Sequence, residues 1–328
     1  MAITAVAPPA LDADPFILVD WLELTAFFDL QGRARLDEID NTAEIQKEDH
    51  VEDTGAADAE KDERREYIEN EINTRTSCLG AAYPFILSDD GEELRIKPRG
   101  ERIGLGFYLA CLVISHFTKS PILNRPPSDD AAAKVRKSQF QTLATLAVAG
   151  HAQGPAVSFG WPRASGETIT QAIARCCQGA GTGTPRIPPG PEAAKKAKDG
   201  GMDVIAWRHA DNDQPPPAMI YFGQAASGHN WAGKSAGDEL DQFLEGYFLD
   251  RPACSMVGLT VVPFRLTDTD HKLYGRRHGH ILDRLRTPKA ALKAISLATE
   301  NGFEIDEVSR ARSLILWLAR YRNEQRAA

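Results

Sequence analysis

The chain of 328 residues lacks any apolar run that approaches the roughly 20 residues of a membrane-spanning helix. Its first residues, MAITAVAPPALDADP, also lack the basic start and the apolar centre of a secretory signal. These two absences predict a cytoplasmic protein that has no membrane partner.

Cysteine is scarce, and none of the five cysteines belongs to a CxxC pair. This spacing excludes zinc-ribbon and dithiol redox proteins. A GxSxG motif is also absent, so nothing supports serine-hydrolase chemistry. We therefore expect buried, reduced thiols at Cys78, Cys111, Cys176, Cys177 and Cys254.

Positive charge is in deficit, because 46 acidic residues outnumber 38 basic ones and give a net charge of −8. That balance argues against a protein that coats nucleic acid. Most of the imbalance lies between Asp37 and Glu71, where 15 acidic and four basic residues give −11. We interpret this block as a solvated helix; a docking surface for a basic partner and a DNA mimic are the alternatives.

Apolar periodicity predicts an α-rich N-terminal domain over residues 1–150 and an α/β domain over residues 151–328. The first domain has apolar helices at Pro15–Phe28 and Ile103–His116, with a hairpin around the turn at Gly91. The small residues and prolines of Gly150–Pro162 mark the boundary.

Two short apolar runs in the second domain predict a β-hairpin with polar residues gathered at one end. Val204–Trp207 and Ala218–Phe222 are rich in β-branched and aromatic residues, and prolines lie between them. Asp203 begins the first strand, Gln224 ends the second, and Lys234 follows shortly after. Metal-dependent phosphodiester cleavage uses this set, because an acid and a second polar group hold a divalent cation while an ammonium orients water or stabilises phosphate charge.

The segments KDGGMDVIAW (198–207) and GQAASGHNWAGK (223–234) resemble the core of the PD-(D/E)xK nuclease superfamily. The resemblance covers roughly residues 155–285. It implies a restriction-endonuclease-like mixed sheet flanked by helices, with Asp203 as the metal-binding aspartate and Gln224 at the (D/E) position. The chain departs from the pattern at Ala226, where the family has lysine, and Lys234 on the following helix is the replacement.

The same resemblance implies that the protein is a DNA endonuclease that uses Mg²⁺ or Mn²⁺. Its setting would be bacterial defence against phage or plasmids, beside a helicase or ATPase partner. Glu167 matches a further metal-binding glutamate by its placement before the first core strand. The basic cluster near the C-terminus predicts a DNA-facing surface with Arg276, Arg277, Arg284 and Arg286.

Two other functions stay open from the residues. Gly228–Ser235, GHNWAGKS, satisfies the phosphate-loop pattern GxxxxGK[ST] between a strand and a helix, which favours an NTPase. The bulky His229 and Trp231 inside that loop, and the lack of an acid after the strand Met256–Phe264, weaken this interpretation. A catalytically silent module that binds nucleic acid or a protein is the other alternative.

Overall fold

The computed structural model describes residues 5–10, 13–39, 54–97, 102–117, 122–160, 163, 166–191, 193, 200–209 and 216–327. Residues 40–53 of the acidic block lie outside this set. The fold is mixed α/β, with a mixed sheet flanked by helices on both faces. This agrees with the predicted fold class at that level of detail.

The helices follow the predicted apolar segments closely. The first and third helices begin and end within one residue of the predicted segments Pro15–Phe28 and Ile103–His116. Their bounds are α1 Pro15–Phe28, α2 Thr54–Leu79, α3 Arg102–Ser115, α4 Asp129–Val135, α5 Gln141–Ala152, α6 Ile169–Ala180, α7 Ala236–Tyr247, α8 Asp268–His278, α9 Thr287–Glu300 and α10 Ala311–Ala327. A π-helical turn, Arg136–Phe140, joins α4 to α5. Such turns within helices are rare and occur frequently at functional sites.

The strands form three sheets. Their bounds are β1 Arg33–Arg35, β2 Phe85–Leu87, β3 Glu93–Ile96, β4 Ala156–Ser158, β5 Thr184–Pro185, β6 Val204–Arg208, β7 Met219–Ala225, β8 Phe248–Asp250, β9 Ser255–Val261 and β10 His280–Leu282. The central sheet has the order β10-β9-β7-β6-β4. Strands β10, β9 and β7 are parallel, whereas β7, β6 and β4 pair antiparallel.

The predicted hairpin is the pair β6 and β7, in which Val204 lies opposite Gly223 and Arg208 lies opposite Met219. Four consecutive residues of β6, Val204–Trp207, are buried. Both faces of the strand are covered, which explains its continuous apolar run. Helix α5 packs on one face of the sheet, and α6 and α7 pack on the other.

The boundary predicted at residue 150 falls inside α5, which packs directly against β6 and β7. One hydrophobic cluster extends from Val6 to Tyr321 and includes Val204 and Leu259 of the sheet. The core therefore continues across the predicted boundary, because α5 buries its sides against both the sheet and α9.

A buried network of charges connects the N-terminal helices to the turn after β10. Arg284 Nη2 donates to both carboxylate oxygens of Asp20, at 2.7 and 2.8 Å. Arg75 Nη1 donates to the same carboxylate at 2.7 Å, and His116 Nε2 lies 2.9 Å from it. Glu23 accepts hydrogen bonds from the hydroxyls of Tyr83 and Tyr108. Each of these groups is buried, so removing one charged partner would leave another buried charge without compensation.

The position of Arg284 requires a correction to the predicted DNA-facing surface. Its side chain is 1% exposed and points into the protein towards Asp20. A guanidinium in this position reaches no external phosphate. Arg284 is thus a structural residue, and its basic neighbours in the sequence gave no sign of this.

The described helices include none that is both long and apolar enough to cross a membrane. All five cysteines are free; Cys111, Cys176 and Cys177 are buried, and Cys78 is exposed. Burial raises the pKa of the Cys111 thiol to about 12 and that of Cys177 to about 11. These thiols are protonated at neutral pH, so they are poor nucleophiles.

Replacing Arg284 with methionine should lower the free energy of unfolding by about 3–5 kcal/mol, because the buried Asp20 carboxylate loses the guanidinium that binds both of its oxygens and keeps only Arg75 and His116. Burial alone would raise the pKa of Asp20, but Arg284 and Arg75 together lower it below its ordinary value. The stabilisation is therefore complete above the unfolded pKa of about 4 and is lost as the pH falls further. Urea unfolding at several pH values measures both effects.

The matched control is Arg276→Met, since Arg276 is exposed on α8. It should change stability by less than about 0.5 kcal/mol. An equal, small effect of both substitutions would contradict the structural role of Arg284.

Candidate active site

A pocket of about 340 Å³ opens at the edge of the central sheet, and it contains three of the four residues predicted for the site. Asp203, Gln224 and Lys234 all line it. The remaining described residues of its lining are Arg136, Lys137, Gln141, Gly201, Ala225, Ser227 and Glu239. Strand pairing, a helix start and the π-helical turn thus converge on one small cavity.

Asp203 is fixed by strand pairing immediately before β6. Its backbone N–H donates to Gly223 O at 2.8 Å, and its Oδ2 accepts from Ala225 N at 2.8 Å. In the paired register Val204 lies opposite Gly223, and Asp203 is the residue just before that pairing begins. Asp203 and Gln224 both line the pocket, so the start of β6 and the end of β7 bring the two side chains to one cavity.

Gln224 has one satisfied end and one unsatisfied end. Its Nε2 donates to Gly201 O at 2.8 Å, which fixes the amide. Its Oε1 is buried and has no hydrogen-bond partner, although the residue is only 7% exposed. A buried acceptor without a partner costs about 1–3 kcal/mol, and a cation or water in the pocket would remove this cost.

The lysine that the family pattern places two residues after Gln224 is replaced here by a core alanine. Ala226 is 4% exposed and packs in a small cluster with Trp231 and Val262. Lys234 comes from the segment just before α7 and lines the pocket with an exposed side chain. The predicted replacement of the missing lysine by Lys234 is therefore compatible with its position.

Four further residues of the pocket were not predicted from the sequence. Glu239 reaches it from the first turns of α7, and Gln141 reaches it from the start of α5. Arg136 and Lys137 reach it from the π-helical turn. Glu239 lies on the helix that follows β7, and no local pattern in the sequence links it to Gln224. The sequence of the π-helical turn is like that of an ordinary α-helix, so it did not indicate Arg136 or Lys137 either.

Two glycines keep the pocket open. A Cβ on Gly201 would lie 1.8 Å from Glu239 Oε2, and Gly201 has a φ of +91° that side chains rarely adopt. A Cβ on Gly160 would lie 2.6 Å from Asp203 Oδ1 and 2.5 Å from Gln141 Nε2. Both backbones therefore touch the polar side chains of the site.

Glu167 lies apart from this group. It precedes the N-cap Thr168 of α6, and its carboxylate accepts from Arg175 Nη2 at 3.0 Å. Arg175 also binds Asp306, so Glu167 belongs to an ionic cluster that joins α6 to the segment before α10. It is not among the described residues that line the pocket, which corrects its predicted role as a metal ligand.

The other predicted DNA-binding arginines are on the surface, and two of them have acidic partners. Arg276 and Arg277 are exposed on α8, where Arg277 Nε donates to Asp238 at 3.0 Å. Arg286 donates to Asp283 at 2.9 Å. Their contact with DNA stays a prediction.

The segment Gly228–Ser235 has a conformation that differs from what a phosphate-binding loop requires. Trp231 begins a 3₁₀ turn and is buried against Tyr274. Ser235 is the N-cap of α7; its Oγ accepts from Asp238 N and donates to Arg277 O. Ser235 is only 2% exposed, and its hydroxyl is hydrogen-bonded to two backbone groups of the protein. It is therefore not available to hold Mg²⁺.

The donor set of the pocket suits a hard cation. Among the described residues there is no group of three or more His, Cys, Asp and Glu arranged to hold a metal. The pocket instead offers two carboxylates, Asp203 and Glu239, and the buried Gln224 Oε1. Magnesium is commonly held by one or two carboxylates together with water and substrate phosphate oxygens, so these residues fit Mg²⁺ or Mn²⁺.

A scan against protein-family models finds no match to the chain. A search of the curated proteins finds no match, and a search of the solved structures finds none either.

Ser235→Ala should lower the free energy of unfolding by about 1 kcal/mol, because the substitution removes the N-cap of α7. It should leave the affinity for Mg·ATP unchanged, since the hydroxyl is buried within the protein. Lys234→Ala is the matched control in the same loop and should change stability by less than about 0.5 kcal/mol. Loss of ATP binding in Ser235→Ala, measured by calorimetry, would restore the phosphate-loop interpretation.

Proposed function

We propose that the protein is a metal-dependent nuclease that cleaves DNA, built on a restriction-endonuclease-like core. One observation carries this proposal: Asp203, Gln224 and Lys234, which are separated by up to 31 positions in sequence, line one pocket at the edge of a mixed sheet. An acid, a buried amide oxygen without a partner and a lysine thus line one cavity of about 340 Å³.

The order of elements around the pocket supports the same core. Helix α5 is followed by the antiparallel strands β4, β6 and β7, then by α7 and by β9, which pairs parallel with β7. The crossover through α7 returns the chain to the same sheet. This arrangement is compatible with a restriction-endonuclease-like fold and puts the end of β7 beside the start of β6.

Asp203, Gln224 and Glu239 are the residues that would hold the cation. A bound Mg²⁺ or Mn²⁺ would supply Lewis-acid stabilisation and a more acidic water. Asp203 is oriented for this by its bond from Ala225 N, and Gln224 by its bond to Gly201 O. Neither side chain must rearrange much to bind, which lowers the entropic cost of binding.

Three cations face the same cavity and suit a phosphodiester. Lys234 reaches it from the loop before α7, while Arg136 and Lys137 reach it from the π-helical turn. A scissile phosphate placed beside the cation would gain hydrogen bonds from these groups as its charge increases. Lys234 in this role would orient the attacking water or stabilise the developing charge.

The sequence resemblance adds a biological setting to the proposal. That setting is defence against phage or plasmids, beside a helicase or ATPase partner. Ala226 favours a second candidate, a degenerate core that binds nucleic acid or a protein without cutting, because the pattern lysine is replaced by a core methyl group.

Purified protein with Mg²⁺ or Mn²⁺ should nick or cut plasmid DNA, and Asp203→Ala should reduce the rate at least about a hundredfold, because the principal carboxylate ligand is lost. The assay measures loss of supercoiled plasmid over time. The matched control is Asp241→Ala, because Asp241 is an exposed aspartate on α7 that pairs with Arg251. This variant should retain activity.

Cleavage that persists unchanged in Asp203→Ala would contradict the proposed site. The binding module would be favoured if the wild type binds DNA but does not cleave it with either Mg²⁺ or Mn²⁺, and if Asp203→Ala binds DNA with the same affinity. A thermal unfolding curve for each variant shows whether it is folded.

A further inference from the structure

A second and larger cavity lies between α9, β10 and the C-terminal end of α5. It is an open groove of about 900 Å³. Its lining includes Gly150 and His151 from α5, His280 and Leu282 from β10, and residues of α9. It shares none of its described lining residues with the pocket around Asp203.

The groove has positive charge along one side. Lys289 and Lys293 are exposed on α9 and lie one helical turn apart. Arg286, immediately before α9, also lines the groove, although it donates to the buried Asp283. No Asp or Glu occurs among the described residues of the lining, so the two lysines leave an excess of positive charge.

The start of α9 adds to this field. The helix has 14 residues, Thr287–Glu300, and Arg286, Lys289 and Ala290 at its start line the groove, whereas Thr287 and Pro288 are buried. The N-terminus of a helix carries a partial positive charge of about half an elementary charge. Together with the lysines, it makes this side of the groove suitable for a group with more than one negative charge.

Apolar and imidazole side chains line the rest of the groove. Ile281, Leu282 and Leu285 are buried beneath it, and Leu292 is partly buried. His151 Nε2 lies 2.9 Å from His280 Nδ1. Burial and the neighbouring His280 lower the pKa of His151, which favours the neutral form of the His151 imidazole.

The imidazoles continue into an aromatic cluster. The ring of Tyr221 lies 5.2 Å from that of His151 and 5.8 Å from that of His280, measured between centroids. A flat ring placed on the apolar floor would contact His151 and His280, which line the groove, and their nitrogens could form hydrogen bonds with it.

We infer that this groove is a second binding site, for a nucleoside polyphosphate, with the phosphates on Lys289, Lys293 and the start of α9 and the base against the apolar and imidazole wall. A volume of about 900 Å³ far exceeds the needs of a lone phosphate. Ligand sites of roughly 300–1,000 Å³ generally combine an apolar lining with a few charged groups that fix orientation. The inference does not depend on the nuclease proposal.

The test is calorimetric titration of the full chain with ATP, with inorganic tripolyphosphate as the probe that lacks a base. Lys289→Glu/Lys293→Glu should weaken ATP binding at least about tenfold, because two charge-assisted bonds to the phosphates are lost and two repelling carboxylates are introduced. Lys134→Glu/Lys272→Glu makes the same change in net charge at two exposed lysines outside the groove. This control should bind ATP as the wild type does, and tripolyphosphate should bind the wild type more weakly than ATP.

The inference is wrong if the wild type does not bind ATP, or if the control variant weakens ATP binding as much as Lys289→Glu/Lys293→Glu does. It is also wrong if Lys234→Ala loses ATP binding, or if tripolyphosphate binds the wild type as tightly as ATP does. Loss in Lys234→Ala would place the nucleotide at Gly228–Ser235. Weaker binding of duplex DNA by Lys289→Glu/Lys293→Glu alone, without ATP binding by the wild type, would assign the groove to DNA instead.

Discussion

The antiparallel pairing of β6 with β7 is the constraint on which the site depends. It places Asp203 beside the end of β7, where two bonds of 2.8 Å, from Asp203 N to Gly223 O and from Ala225 N to Asp203 Oδ2, hold Asp203 at the pocket that Gln224 also lines. A slip of one residue would turn every side chain of one strand to the other face. A slip would also draw Asp203 or the exposed Arg208 into the buried run Val204–Trp207, and the cost of burying either charge opposes it.

Charge has two separate uses in this protein. Inside, Asp20, Arg75 and Arg284 form contacts that hold helices α1 and α2 to the turn after β10. At the edge of the sheet, two carboxylates and three cations share one solvent-accessible cavity. The first set pairs its charges with one another in the interior, although Arg284 Nε has no hydrogen-bond partner there. In the pocket, the buried acceptor without a partner is Gln224 Oε1, and a ligand in that polar cavity could satisfy it.

Local patterns in the sequence predicted the elements well. The apolar helices, the hairpin β6–β7 and the convergence of Asp203, Gln224 and Lys234 follow from periodicity, turn residues and the resemblance. Long-range pairing was beyond such patterns. Arg284 belongs to a basic cluster in sequence but is paired with Asp20, 264 positions away. Glu167 was chosen by placement, yet Arg175 and Asp306 hold it elsewhere, while Glu239 lines the pocket through the geometry of α7.

The boundary at residue 150 illustrates the same limit. Small residues and prolines follow it in sequence, but α5 extends through it and forms part of the layer that covers the sheet. A composition change marks the end of a helix as readily as the end of a domain. Packing decides between the two, and packing depends on partners that are distant in the chain.

The most direct measurement of the central claim is manganese binding followed by electron paramagnetic resonance, with and without a DNA oligonucleotide. The account predicts that the wild type binds Mn²⁺, that DNA strengthens the binding, and that Asp203→Asn loses it while Asp241→Asn keeps it. Binding in Asp203→Asn that equals the wild type in both conditions would contradict a metal site at the β6–β7 edge.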